Sequence, residues 1–403
     1  MSLREHGKRH AQPSPMASCS IRHIALTRFR NYRSAHMALE HAPIMLTGHN
    51  GAGKTNILEA VSLLRPGRGL RGATAHELAF TDMGAQGGMA EDHAYQDWGI
   101  NVSLYHHHLL TECAVIWQKD AQGGWRVSRK VKGHDHPSRY VESIPILWLM
   151  PGTDRHSNAT RSLRRQFIDH IISVVDYDHK NRLTRYERLM RERRHVLWQK
   201  GYVSKTSRQW LSSLENAIAQ DAVAIAASRK CYIEAVNASL QRHFFDMDVK
   251  TQIRVDGFIE NALDDKAALE VEQHFVSKLE ETRAHDCLYG GCEEGVHRSD
   301  MVMMDSARDI PASLCSTGQQ KLLTLCLLLA SAYMLVERHK RIPLLLLDEV
   351  RAHLDKAHAS MLFAKILALD VQAWMSGLTP SLFSELKGRG QGFHVDHGCL
   401  VPW

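Results

Sequence analysis

Residues 48–55 read Gly48-His49-Asn50-Gly51-Ala52-Gly53-Lys54-Thr55 and fit the pattern G-x-x-x-x-G-K-[S/T], which is typical of a phosphate-binding loop between a strand and a helix. The glycines of this pattern allow backbone amides to wrap around phosphate groups. The lysine reaches the β- and γ-phosphate oxygens, and the hydroxyl after it binds Mg²⁺. We therefore predict that all eight residues bind a nucleotide, that Lys54 also acts in catalysis, and that Thr55 is a metal ligand.

The residues around this loop favour the same interpretation. The short apolar run Ile44-Met45-Leu46 precedes it, and Ile57, Val61 and Leu64 follow it with helical spacing. A helix that starts at the loop adds its positive end to the site. The alternative, a glycine turn that merely connects a strand to a helix, leaves the lysine and the hydroxyl unexplained.

A second motif is the run Leu344 to Leu347 followed by Asp348-Glu349. The run predicts a buried strand that delivers two carboxylates at its carboxyl end. We expect Asp348 to hold Mg²⁺, directly or through water, and Glu349 to orient and deprotonate an attacking water. An acidic pair after a strand is also a common helix cap, but beside a phosphate loop the catalytic interpretation is favoured.

A third motif, Ser316-Thr317-Gly318-Gln319-Gln320-Lys321, lies just before the long apolar run Leu322 to Val336. A hydroxyl, a glycine and a helix N-terminus together form a phosphate-binding surface. We expect it to meet the γ-phosphate held by a second copy of the chain, so that Ser316, Gly318 and Gln319 bind nucleotide across a dimer. A simple helix cap by Ser316 or Thr317 is the alternative and, for this motif alone, the favoured one.

The composition limits the class of protein. The chain has 403 residues, a formal charge of +6 and 44% hydrophobic residues, which excludes disorder for most of it and permits a polyanionic partner. The run Leu322 to Val336 falls short of the roughly 20 residues of a membrane span and predicts a core helix. No secretory signal is evident, so we expect reduced cysteines, a cytoplasmic location and no membrane partner. Residues 1–20 are predicted to be a disordered extension.

The pattern of apolar residues changes along the chain. The run Ile21 to Phe29 alternates like a strand, and residues 99–150 are typical of an antiparallel sheet, with runs at Val102 to Leu110, Ala114 to Trp117 and Ile144 to Leu149. The run His106-His107-His108 is predicted to lie at a strand edge or hairpin. Helical periodicity then dominates, interrupted by one alternating strand from Val249 to Val255.

The order of these motifs, together with Ala352-His353-Leu354-Asp355, resembles the ABC-type ATPases and, within them, the RecF family of DNA replication and repair proteins. Further stretches that resemble the family are Asn31-Tyr32, Lys54 to Ala60, Gly67 to Arg71, Arg164 to Asp169 and His297 to Asp300. These matches span roughly residues 21 to 385. The resemblance also implies that Asp355 binds nucleotide.

The resemblance implies an α/β fold: a P-loop ABC-type ATPase head, with a mixed sheet and an antiparallel β subdomain, that carries an inserted, mainly helical lobe. We expect residues 21–170 and 285–403 to form the ATPase domain, and residues 171–284 to form the helical lobe.

The function implied is that of an ATP-dependent DNA-binding protein of recombinational repair and replication restart, with ATP and Mg²⁺ as cofactors. An ATP-bound homodimer would clamp duplex DNA near single-strand gaps and junctions and help load a recombinase, and hydrolysis would release it. Weak, DNA-stimulated ATPase activity is expected. The implied partners are RecR, with RecO and RecA downstream.

Basic residues give weaker support for DNA binding. Residues 161–194 contain ten Arg or Lys and five Asp or Glu, a balance that suits salt-dependent phosphate contacts. A solvated helix with pairs such as Glu187 with Arg191 is an open alternative, since the arginines wind round the helix. The residues predicted to contact DNA are Arg68, Arg71, Arg182, Arg185 and Arg188.

Two other classes of ATPase are considered. A transporter nucleotide-binding subunit is disfavoured because 260 residues separate Thr55 from Ser316. Another SMC-like repair ATPase, with a long coiled coil or a fused nuclease, is disfavoured because sustained heptads are missing and only 48 residues follow Asp355. A purely structural role does not account for Lys54 and the acidic pair.

Overall fold

The computed structural model describes residues 19–81, 97–149, 159–200 and 204–403. Residues 1–18 of the expected disordered extension lie outside these ranges. Residues 82–96, 150–158 and 201–203, which belong to the predicted ATPase domain and helical lobe, also lie outside them. Cys19 and Ser20 are buried, and the first strand begins at Ser20. The last two residues of the expected disordered extension therefore belong to the folded protein.

The strands, in chain order, are β1 (Ser20–Phe29), β2 (Tyr32–Ala38), β3 (Ile44–Thr47), β4 (Trp98–His106), β5 (Leu109–Lys119), β6 (Trp125–Val131), β7 (Ile146–Trp148), β8 (Thr251–Asp256), β9 (Asp300–Asp305), β10 (Ile310–Pro311), β11 (Leu344–Leu347), β12 (Ala373–Gly377), β13 (Gln391–Asp396) and β14 (Cys399–Pro402). The helices are α1 (Lys54–Ser62), α2 (Pro137–Ser143), α3 (Arg161–Val175), α4 (Tyr177–Lys200), α5 (Lys205–His243), α6 (Phe258–Asp265), α7 (Ala268–Glu281), α8 (Arg283–Tyr289), α9 (Thr317–His339) and α10 (Lys356–Ala368).

One sheet is antiparallel and has the strand order β2-β1-β4-β5-β6. Strands β4 and β5 are joined by a tight turn in which His107 and His108 both have positive φ. The prediction that the histidine run lies at a hairpin is confirmed. The prediction of an antiparallel sheet after residue 99 is confirmed for β4, β5 and β6.

The second sheet is mixed and has the order β14-β13-β3-β12-β11-β7, with β13, β3, β12, β11 and β7 parallel. The run Ile144 to Leu149 was expected in the antiparallel sheet, and that expectation is wrong. Its strand β7 pairs with β11 in parallel, with Ile146 opposite Leu344 and Trp148 opposite Leu346. All three residues of β7 are buried, as in a strand covered on both faces.

Both faces of the mixed sheet are covered by apolar residues. Leu344 and Leu346 pack in one core with the antiparallel sheet and α1. Leu345 and Leu347 point to the other core, which contains residues of α3, α9 and α10. The alternation of a strand sends neighbouring leucines to opposite faces, so this short run contributes to both of these apolar cores.

Helix α9 carries the apolar run that begins at Leu322. It is long and apolar enough to cross a membrane, yet 89% of its most apolar window is buried inside the protein. Its leucines lie in the same core as α3 and β11. The prediction of a buried core helix is confirmed.

A third apolar core is formed by helices α4, α5 and α7, with residues such as Leu211, Ile218 and Phe275. Strand β8, which interrupts these helices in the sequence, pairs with β9, and its Ile253 lies in the core that contains α9. The helical lobe boundaries at 171 and 284 stay predictions.

Candidate nucleotide-binding site

The predicted phosphate loop connects β3 to α1, at the carboxyl edge of the mixed sheet. Gly48 has φ 145°, and a Cβ there would lie 2.2 Å from the carbonyl oxygen of Val395. Gly53 has φ 120°, and a Cβ there would lie 2.5 Å from the side chain of Asn31. Both positions require glycine, because the backbone conformation disfavours other residues and backbone or packed side chains leave no room.

Lys54 lies inside this loop. Its Nζ donates to the carbonyl oxygens of Gly48 and His49, each at 2.8 Å. Burial lowers the pKa of Lys54, while the charges of Glu349 and Asp348 act in the opposite direction. The ammonium group is thus held at the loop with the two predicted catalytic carboxylates close enough to influence its pKa.

Thr55 and Asp348 are brought together although they are 293 positions apart in the chain. The Thr55 hydroxyl donates to a carboxylate oxygen of Asp348 at 2.8 Å. A hydroxyl and a carboxylate are the hard oxygen ligands that Mg²⁺ prefers. The two residues therefore fit the metal role predicted for them.

Ser376 lies at the carboxyl end of β12, between the strands that carry the phosphate loop and the acidic pair. Its hydroxyl donates to Asp348 at 2.5 Å and accepts the backbone N–H of Glu349 at 2.7 Å. No role was predicted for this serine. Its position near the end of a buried strand was the available indication, since the carboxyl ends of neighbouring parallel strands meet at one edge of the sheet.

Glu349 has its backbone fixed from two sides. Its φ is 45°, a left-handed conformation that is uncommon for a residue other than glycine. Lys321 of α9 donates its Nζ to the Glu349 carbonyl oxygen at 2.5 Å, opposite the bond from the amide to Ser376. The carboxylate itself is exposed at the edge of the sheet.

Asn31 and Tyr32 hydrogen-bond to the backbone of the phosphate loop. The sequence did not predict this role for them. The Asn31 side chain donates to the carbonyl oxygen of Ala52 at 2.8 Å, and the Tyr32 hydroxyl donates to that of Gly53 at 3.1 Å. The only indication in the sequence was that this dipeptide resembles the family. These bonds hold the loop backbone from the antiparallel sheet.

The third motif begins helix α9. Ser316 caps the helix: it accepts the N–H of Gln319, and the Gln319 side chain accepts the N–H of Ser316 in return. The alternative interpretation as a helix cap is therefore observed. A Cβ at Gly318 would lie 2.5 Å from the carbonyl oxygen of His353, so this glycine packs against the loop that leads to Asp355.

Asp355 caps helix α10, accepting the N–H of His358 at 2.8 Å. Among the described residues, no hydrogen bond joins Ser316, Gln319 or Asp355 to the phosphate loop of the same chain. The structure thus brings the loop, Asp348, Glu349 and Ser376 together and leaves these other predicted nucleotide contacts separate. Their nucleotide roles stay predictions.

The arginines predicted to contact DNA differ in how they are engaged. Arg182 forms an ion pair with Asp176 at 2.7 Å. Arg185 forms a bidentate ion pair with the buried Asp221. Arg71 donates to Asn56 at 2.8 Å and lies 3.8 Å from the buried Glu59. Arg68 and Arg188 are exposed, and within the described part of the chain no carboxylate lies in ion-pair range of either.

Glu187 and Arg191, named above as an example for the alternative of a solvated helix, do not form a side-chain ion pair. Arg191 instead donates to the backbone carbonyl of Glu187 at 3.3 Å.

The overall fold is similar to that of solved ATPase heads. An Smc head bound to the C-winged helix domain of ScpA matches with a TM-score of 0.52 at 15% identity, covering 95% of this chain and 97% of that one. The recombination mediator protein RecF with bound ATP matches with a TM-score of 0.77 at 20% identity, covering 98% and 100% of the two chains. The chain therefore has the fold of the ABC- and SMC-type ATPase heads.

Relatives found by sequence identify the family within this fold class. The DNA replication and repair protein RecF of Brucella suis biovar 1 is 34% identical over 390 residues, covering 95% of this chain and 96% of the relative. RecF of Mesorhizobium japonicum is 34% identical over 391 residues, covering 96% and 98%. No family model matches the chain. The chain belongs to the RecF family of DNA replication and repair proteins, which confirms the resemblance and displaces the transporter alternative.

Proposed function

We propose that this chain is a cytoplasmic, ATP-dependent DNA-binding protein of recombinational repair and replication restart, and a weak ATPase stimulated by DNA. In this proposal, ATP closes a homodimer over duplex DNA near a single-strand gap or junction, and hydrolysis opens it. The observation that carries the proposal is the joint hydrogen bonding of Thr55, Asp348, Ser376 and Glu349 beside Lys54.

The chemistry follows from these side chains. Lys54 and the amides of the phosphate loop bind the phosphate oxygens. Thr55 and Asp348 would hold Mg²⁺, which neutralises charge on the β- and γ-phosphates when bound. Glu349 accepts the proton of the attacking water. Ser376 is hydrogen-bonded to the Asp348 carboxylate and to the Glu349 amide, and it thereby holds these two residues in fixed positions relative to each other.

The dimer is supported by two exposed apolar residues, each next to one half of the composite site. Leu314 precedes Ser316 by two residues and is 72% exposed. Leu378 is 54% exposed, and its carbonyl oxygen accepts the N–H of Gly48 in the phosphate loop. A head-to-tail dimer that places Ser316 against the γ-phosphate of the other copy would cover both leucines, and apolar burial favours such association.

DNA binding is the less direct part of the proposal. The exposed Arg68 and Arg188 are the strongest candidates for phosphate contacts, because Arg71, Arg182 and Arg185 already bond carboxylates or amides. Such contacts bind DNA with little sequence preference and weaken with salt. Family membership adds the recombinase-loading role and the partners RecR, RecO and RecA to the proposal.

The decisive experiment measures the molecular mass in solution by light scattering, with and without ATP and Mg²⁺ and a gapped duplex. We expect the mass to double with ATP, because nucleotide binds the closed dimer better than the open one. Lys54→Ala and Ser316→Arg should each abolish this change, whereas Lys266→Ala, an exposed lysine outside the site, should not.

Mixing the two defective proteins tests the composite site itself. A heterodimer of Lys54→Ala and Ser316→Arg chains contains one intact pocket, formed by Lys54 of one copy and Ser316 of the other. We expect the mixture to regain dimerisation and measurable ATP turnover. If the mixture stays inactive and monomeric, the shared pocket and the clamp are both excluded.

A further inference from the structure

Two adjoining cavities open between the second half of α4 and the segment that contains α8 and the loop after it. Their volumes are about 310 Å³ and about 460 Å³. Both are lined by Arg191, Arg194, Asp286 and Gly290, so they form one surface, here named the α4–α8 groove. It lies on the helical side of the molecule, and none of its residues belongs to the nucleotide site.

The groove carries an excess of positive charge. Arg191, Arg194 and Arg298 line it, all three are exposed, and no carboxylate of the described ranges lies within ion-pair distance of them. Asp286 also lines it, but its carboxylate is buried and paired with Arg193 at 2.7 Å. The three exposed guanidinium groups are therefore available to an anionic partner.

One large exposed apolar side chain lines the groove, and two more follow a lining residue in the chain. Trp198 lines the larger cavity and is 76% exposed. Leu288 and Tyr289 are 80% and 75% exposed and stand in the chain between two lining residues, Cys287 and Gly290. Folding gains nothing from leaving three such residues in water, and exposed apolar clusters mark interaction sites. Tryptophan, tyrosine and arginine are also the residues enriched at the energetic centres of protein interfaces.

We propose that the α4–α8 groove binds an acidic peptide segment of a partner protein, with one apolar side chain of that segment inserted beside Trp198. The three arginines match the negative charge of such a segment. The cavities match one or two side chains in size, whereas a DNA duplex presents its phosphates on a convex surface. Trp198, which lines the larger cavity, and the buried Leu197, which lines the smaller one, provide apolar contacts that phosphates do not use.

This surface is separate from the DNA contacts proposed above. Those lie near Arg68 and in the first half of α4, up to Arg188, and the groove starts at Met190. The inference therefore extends the proposed function with a protein-binding site and does not depend on nucleotide hydrolysis.

The test uses the full chain and two fluorescein-labelled peptides of twelve residues, measured by fluorescence anisotropy. One peptide alternates Asp and Glu around a central Phe, and the other replaces every Asp and Glu by Asn and Gln. We expect only the acidic peptide to bind. The double change Arg191→Glu and Arg194→Glu should weaken it at least about tenfold, and Trp198→Ala should weaken it by a smaller factor.

Two matched variants complete the design. Arg254→Glu reverses an exposed arginine on β8, outside the groove, and should leave peptide binding unchanged. Lys54→Ala should also leave it unchanged, which separates this inference from the proposed ATPase function. Thermal unfolding of each variant checks that the fold is retained.

Three results would overturn the inference. The first is absence of binding by the acidic peptide, and the second is equal binding by the neutral one. The third is a labelled single-stranded oligo-dT that binds more tightly than the acidic peptide and is lost in the same arginine double variant. That last result would make the groove a nucleic-acid surface.

Discussion

The nucleotide edge and the helical region use their charged residues in opposite ways. At the edge of the mixed sheet, Lys54, Asp348 and Glu349 lie at strand and loop ends, and the carboxylate of Glu349 is exposed to incoming ligands. In the helical region, by contrast, Arg193, Arg229 and Arg283 are buried in ion pairs with carboxylates. A run of charged residues in the sequence therefore does not show by itself which charges a ligand can reach.

The buried network around Arg229 is the clearest example. Arg229 of α5 bonds both oxygens of Asp169 on α3, at 2.9 and 2.8 Å, and also Glu260 of α6 at 3.0 Å. Burial raises the pKa of Asp169, but Arg229 and His179 outweigh burial and hold it at about 2. These charges join three helices and cannot reach a ligand.

The first prediction concerns Glu349, the exposed carboxylate at the nucleotide edge, and it has the greatest magnitude. Glu349→Gln removes the proposed base, so ATP turnover should fall by about 10²- to 10⁴-fold. The closed, ATP-loaded dimer should accumulate, as measured by phosphate release and light scattering. Glu270→Gln, an exposed acid on α7, is the control. An unaltered turnover rate would remove Glu349 from the base role.

The second prediction tests the buried ion pairs of Arg229 in the helical region. Arg229→Met leaves the carboxylates of Asp169 and Glu260 buried without their cation, so the free energy of unfolding should fall by about 3–5 kcal/mol. Arg242→Met, on the same helix, breaks a partly exposed pair with Glu337 and should cost about 1 kcal/mol or less. Urea denaturation measures both. Equal losses would contradict the contrast between buried and exposed pairs.

The third prediction concerns the residue that links the two carboxylates. Ser376→Ala removes two hydrogen bonds beside the reacting groups, so kcat should fall by about tenfold with KM for ATP little changed. Ser376→Thr keeps the hydroxyl and should restore most of the rate. Ser381→Ala, at an exposed serine in the 3₁₀ helix Pro380–Leu386 that follows β12, serves as control. A change in KM alone would indicate that Ser376 acts in nucleotide binding.

The smallest expected effect compares two arginines of α4. Arg188 has no carboxylate partner among the residues that the structure describes. Arg188→Ala should therefore reduce the salt dependence of DNA binding by about 0.9 in the slope of log K against log salt, the value for one lost phosphate contact. Arg182 pairs with Asp176, so Arg182→Ala should change the slope less. Binding to a labelled gapped duplex at several salt concentrations measures both. Identical slopes for both variants would mean that this helix face is only solvated.

Much of the candidate site could be predicted because its parts are short and local. The phosphate loop, the acidic pair after β11 and the cap of α9 each occupy a few consecutive residues whose spacing sets their geometry. The glycines at 48 and 53 are required by backbone conformation, which is a property of the chain itself.

The residue pattern alone indicates which residues are suited to bind phosphate and that a buried strand delivers two carboxylates. The three-dimensional packing was needed to show that Ser376 hydrogen-bonds to Asp348 and to the Glu349 amide, that β7 pairs in parallel with β11, and which arginines form ion pairs. Arg229 and Asp169 are 60 residues apart in the chain. Ion pairs and strand neighbours of this kind depend on how distant segments pack, and local periodicity contains no information about that packing.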